Sequence, residues 1–238
     1  MRTRRRPMIG PGVCGLAFLL GAIGPVCAED AKPAYPSMAP VGQYRVASAS
    51  EEIALSRSAA PTSISGDASI LTLGTRGYET TLEGRNGFVC LVQRSWAAGF
   101  DDAEFWNPKL RGPICFNPAA VRTVLPAYLE RTKWVIAGVS KADMIKRTSA
   151  ELAAHHIATP ESGAMAFMMS KQGYLGDGAG HWHPHLMFFL AHADVAGWGA
   201  DLHGSPVFAA RDDLESITTF FVVVPTWSDG TPAVMEMH

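Results

Sequence analysis

Cysteine is scarce in this chain of 238 residues: there are four in all, and two of them, Cys14 and Cys27, fall within the first 28 positions. No pair stands in a C-x-x-C arrangement, so neither a zinc ribbon nor a thioredoxin-type redox motif is encoded. Blocks of lysine or arginine are absent beyond Arg6, which removes the electrostatic footprint that nucleic-acid phosphates require. H-E-x-x-H, Walker A and G-x-S-x-G sequences are missing too, and with them the usual marks of a zincin, a phosphate cradle and an α/β-hydrolase nucleophile. No apolar run reaches the roughly 20 residues with which a helix crosses a bilayer.

What is present begins at the amino end. Arg2, Arg4, Arg5 and Arg6 precede an apolar stretch over residues 13–23, and Val26-Cys27-Ala28 ends it with small residues before Glu29-Asp30. This is the pattern of a secretory signal cleaved after Ala28, and it predicts a periplasmic or secreted protein with no transmembrane segment in the mature chain. Without residues 1–28, sixteen basic residues face twenty-two acidic ones, a formal charge of −6. Cys90 and Cys115 remain, and in an oxidising compartment two cysteines most simply pair as a disulfide. Residues 29–45 are proline-rich and aperiodic, an extended or disordered leader. Residues 46–238 have the length of one domain with a full core.

Periodicity within that domain changes twice. Ser48 followed by Glu51 makes a helix start that Pro61 closes. Short β-type runs follow at 69–73, 78–82 and 87–93, separated by Gly74-Thr75-Arg76-Gly77 and Gly84-Arg85-Asn86-Gly87, which reads as an antiparallel meander. After an aromatic connection over 95–113, Asn117-Pro118 opens a helix that Pro126 divides, Gly138 ends the second part, and Ser140 caps a third helix. Strand signals return at 164–169, 185–191, 206–209 and 217–224, with a short helix over 194–198. Strands, then helices, then strands describe an α+β domain on an antiparallel or mixed sheet.

The chemistry concentrates in Gly180-His181-Trp182-His183-Pro184-His185. Alternate residues of an extended chain share a face, which puts His181 and His183 about 6.5 Å apart at Cα, close enough to hold one zinc or copper ion. His181 and His185, some 13 Å apart in a straight strand, cannot share an ion without a bend at Pro184, so the third ligand is expected from His185 after bending or from a residue such as Asp177. The preceding Gly176-x-Gly178-x-Gly180 is not a dinucleotide fingerprint, because a strand and not a helix follows; no nucleotide cofactor is expected.

Two other readings compete. In the first, no metal is bound, and an aromatic loop bearing Trp96, Phe105 and Trp106 contacts a small molecule or a cell-envelope component. In the second, Ser170 is the nucleophile of a serine hydrolase, with Lys171, Asp177 and His183 as its neighbours in sequence.

Two segments carry a resemblance. The first runs from Phe105-Trp106-Asn107-Pro108-Lys109 to Pro113-Ile114-Cys115-Phe116-Asn117, and the second from Ser170-Lys171-Gln172-Gly173-Tyr174-Leu175 through His181-Trp182-His183-Pro184-His185-Leu186-Met187-Phe188-Phe189. In them the chain resembles a family of uncharacterised exported bacterial proteins, over about residues 51–230. The resemblance implies a single exported domain with the histidine segment built into its fold, and it implies no activity. The leading expectation is an exported metal-binding protein, and if it is catalytic, a hydrolase that uses metal-activated water.

Overall fold

Glycine turns cut the first β-rich stretch into pieces too short for anything but strands. In a computed structural model, which describes residues 35–176 and 183–233, these pieces are β1 (Ser69–Leu73), β2 (Tyr78–Leu82) and β3 (Val89–Gln93). β1 and β2 form the expected antiparallel hairpin. β3 departs from the meander: it runs parallel to β1 on the side away from β2, pairing at Ser69 and Ile70. Burial accounts for the difference. β2 carries the exposed residues Glu79, Thr80 and Thr81 and suits a solvated edge, whereas Cys90, Leu91 and Val92 of β3 are buried and belong inside the sheet. Gly84 lets the chain cross the start of β1, since a Cβ there would stand 2.2 Å from the Ser69 nitrogen.

β4 (Gly112–Phe116) pairs antiparallel with β3, and Cys90 lies directly opposite Cys115. Their sulfurs are bonded across the two strands, with the Cα atoms 3.9 Å apart. The disulfide expected from the sequence thus ties together two central strands and closes the connection between them. β5 (Met165–Met168), β6 (His185–Ala191), β7 (Val207–Asp212) and β8 (Ile217–Val223) continue the sheet. Among the described residues its order is β2-β1-β3-β4-β5-β6-β8-β7, a mixed sheet because of the single parallel pair.

The helices start where capping residues are found. Ser48 accepts from the amide of Glu51 at the head of α1 (Ala49–Arg57). A short turn, α2 (Thr62–Ser65), follows Pro61. Asn117 caps α3 (Pro118–Thr123), Pro126 sits in the first turn of α4 (Leu125–Ile136), and Ser140 caps α5 (Lys141–Ala153). Gly138, at φ +74°, ends α4 in the left-handed conformation that a side chain resists.

Alternation along the strands divides the core. One face of the sheet presents Leu71, Leu91, Ile114, Phe116 and Phe189 to α3, α4, α5 and the 95–110 connection. The other presents Ile70 and the disulfide to Ala59 and Ala60, next to α1. The result is the single α+β domain expected, one unit throughout the described residues. The leader assigned to residues 29–45 is structured where it is described: Tyr44 is fully buried, and its hydroxyl donates to the Trp106 carbonyl at 2.9 Å. Among the described residues no helix is long and apolar enough to cross a membrane.

Candidate functional site

His185 opens β6, and strand alternation sends it to the same face as Met187 and Phe189. Opposite Met187 and Phe189 in the register stand Phe221 and Thr219 of β8. Together with Phe116 these residues floor a cavity of about 800 Å3. Its roof is α4, which turns Ala127, Tyr128 and Arg131 toward it, with Val124 just ahead of the helix, and its rim is built from residues 97–104 and from the β7–β8 turn at 210–215. Cavities of this size with an apolar lining and a few polar groups are the usual form of small-molecule sites.

The polar groups on its walls are well defined. Nδ1 of His185 donates to the carbonyl of His183 at 2.9 Å. A carbonyl can only accept, so that nitrogen bears the proton. Burial lowers the His185 pKa below its ordinary 6.5, and the ring is therefore neutral near pH 7, with the lone pair on Nε2. The imidazole meets the Phe221 ring edge-on, centroids 5.5 Å apart.

Across the cavity Arg131 joins three parts of the fold. It donates to the carbonyls of Trp96 and Ala98 at 3.2 and 3.1 Å, lies over the Phe100 ring at 4.4 Å, and pairs with Glu215. Burial raises the Glu215 carboxyl above its ordinary value, against the pull of Arg131. Ser95, also on the cavity wall, has a buried Oγ with no hydrogen-bond partner among the described residues.

Behind the wall Arg94 is fully buried and pairs with Glu52 at 2.7 Å, and the same carboxylate oxygen accepts the Leu73 amide. Tyr128 Oη accepts the Arg94 amide at 2.9 Å and stands 3.0 Å from Tyr78 Oη. Burial holds the Tyr78 phenol well above its ordinary value. This network fixes the wall and pairs the buried charge of Arg94.

The residues singled out from the sequence are distributed unequally. His183 and His185 come together, ring to carbonyl, with His185 on the cavity. His181 and Asp177 lie outside the described residues. Among the described residues no group of three or more His, Cys, Asp or Glu side chains could hold a metal ion.

Trp96, Phe105 and Trp106 require a correction. They are core residues and not a ligand-facing surface: Trp96 is 0 % exposed, and Phe105 and Trp106 are buried edge to face, 4.6 Å apart. Such rings bury too much apolar area to be left in water, and the one polar atom of the Trp96 ring is satisfied inside, Nε1 donating to Thr132 Oγ1 at 2.9 Å. From the same connection it is Phe100 that reaches the cavity.

Ser170 is likewise structural. It is fully buried, shares a 2.6 Å hydrogen bond with Ser58, and accepts the Gln172 amide. Lys171 turns away to Asp229 at 2.8 Å. A nucleophile sealed in this way cannot reach a substrate.

Sequence reasoning passed over Arg131 and Glu215, while Phe100 belongs to the aromatic connection over 95–113 that it did single out. One signal existed for the arginine: Ala127, Tyr128 and Arg131 share a helical face, and a cation on the buried side of α4 needs a partner. Nothing local could supply it, because Glu215 is 84 residues away. Comparison with protein-family models, with curated proteins and with solved structures gives no match, so the cavity and its side chains carry the functional argument.

Proposed function

We propose that this protein binds a small, largely apolar organic molecule in the cavity between the sheet and α4. The observation that carries the reading is the cavity itself: about 800 Å3, floored by Phe116, Met187, Phe189 and Phe221, with polar groups confined to its walls and rim. It keeps the idea of an exported binding protein while moving the contact from the tryptophans to the sheet face. A neutral lipophilic fluorophore, N-phenyl-1-naphthylamine, should bind saturably at one site with a blue-shifted emission. Ala127→Trp, which fills the cavity from α4, should abolish that binding while the circular dichroism spectrum stays unchanged. Absence of saturable binding to the unsubstituted protein would sink the proposal.

A second reading keeps the transition metal, zinc or copper, with His183 and His185 joined by His181 and Asp177. Its support is the state of His185. Metal-binding histidines characteristically give their second ring N–H to a backbone carbonyl, as His185 does to His183, which leaves the other nitrogen basic. If catalytic, such a site would activate water for hydrolysis. Elemental analysis of protein purified without an affinity tag tests it: stoichiometric zinc or copper that is lost in His183→Ala is expected, and metal-free protein showing no thermal shift on adding either ion rejects it.

A further inference from the structure

The rim of the cavity differs in charge from its floor. Six carboxylates line the cavity against three guanidinium groups. Two of the three are already neutralised, Arg94 by Glu52 behind the wall and Arg131 by Glu215. The third, Arg211, donates to the Ala193 carbonyl at 3.2 Å. Asp101 and Asp102 stand exposed on one loop and Asp213 on the opposite turn, so acids flank the mouth from two sides of an apolar floor. Nearby, Lys141 feels Asp102 and Asp101, and the His192 imidazole Nε2 is 3.6 Å from Asp213.

From this complementarity we infer that the occupant is an amphipathic amine: a hydrocarbon body on the floor of the cavity and a protonated nitrogen at the acidic rim. The inference rests on the cavity being a ligand site and adds the sign of the ligand's charge. An anionic amphiphile of the same shape would place its head group among five carboxylates that, among the described residues, no guanidinium pairs. An ammonium gains their field and can donate to the exposed rim carboxylates.

The test is a series with one tail and three heads: n-octylammonium, 1-octanol and octanoate, each displacing N-phenyl-1-naphthylamine from the full chain at pH 7.4. Octylammonium should displace the dye at a roughly tenfold lower concentration than octanol, with octanoate weakest, and the gap should close as salt rises. If octanol matches or exceeds octylammonium, the charge assignment is overturned while the apolar site stands. If the dye does not bind, the site itself fails and the assignment goes with it.

The double substitution Asp101→Asn with Asp213→Asn changes only exposed side chains. It should bring octylammonium toward octanol and leave octanol unchanged. Unaltered octylammonium binding would overturn the role given to the rim. The comparison of head groups on the unsubstituted protein decides the sign of the charge even if that variant folds poorly.

Discussion

An imidazole sealed against Phe221 resists taking a proton, and that resistance is measurable. The folded pKa of His185 lies below 6.5 because burial penalises the cation. Between the two values the unfolded chain binds the extra proton, so the contribution of His185 is complete above 6.5 and is lost as pH falls through the folded value. Urea denaturation at pH 7.5, 6.5 and 5.5 should show the unsubstituted protein losing stability on acidification relative to His185→Gln; parallel profiles would contradict the buried neutral ring. Glu52 is the second residue with a defined consequence. Glu52→Ala leaves the Arg94 guanidinium buried without its carboxylate, and such a loss costs roughly 3–5 kcal/mol. A destabilisation below about 1 kcal/mol would mean that Arg94 finds water or another partner.

Between elements, Asn117 links more than a cap normally does. Its Oδ1 accepts from the amides of Ala120 at 2.9 Å and Met165 at 3.1 Å, while Nδ2 donates to the Gly163 carbonyl at 2.8 Å. One side chain thereby starts α3 and holds the beginning of β5. Asn117→Ala should cost roughly 2–4 kcal/mol, above a simple cap, and Asn117→Asp should recover only the part due to Oδ1; an Asn117→Asp variant as stable as the unsubstituted protein would show that Nδ2 contributes nothing.

The cap itself was readable from Asn117-Pro118, as were β1, β2 and β6, whose limits are set by glycine, by polar turns or by Pro184. β4 was not readable, because Gly112-Pro113 looks like a break and proline is foreign to central strands. The structure satisfies the rule locally: pairing of β4 with β5 is confined to Cys115 and Phe116, so the sheet does not extend to Pro113 on that side. His185 could be picked out by its spacing from His183. The cavity could not, since its floor is a register between β6 and β8, and its roof reaches its rim through the contacts of Arg131 with Ala98, Phe100 and Glu215, all distant in sequence.

For the whole molecule, compartment and covalent structure go together. The Cys90–Cys115 bond joins strands whose sequence separation is 25, and the double substitution Cys90→Ala with Cys115→Ala should lower stability by roughly 3 kcal/mol. A melting temperature unchanged by the substitution would show that β3 and β4 need no staple. A disulfide is compatible with the export expected from residues 1–28. Mass spectrometry of protein recovered from a bacterial host should find a mature chain starting at Glu29 in the periplasmic or external fraction. Full-length chain retained in the cytoplasm with both thiols free would refute export.

The position of β8 between β6 and β7 has a temporal meaning. Strands β1 to β6 can associate as the chain emerges from its amino end, but the outer side of β6 stays open until Ile217–Val223 arrives. β7, made earlier, has no place in the sheet before then, because among the described residues its strand partner is β8. The floor of the cavity is thus among the last surfaces to form, and a chain cut before Ile217 would leave the apolar row Met187, Phe189 and the whole of β7 without their neighbour. Among the described strands, the one made last is thus the one that completes the floor of the cavity.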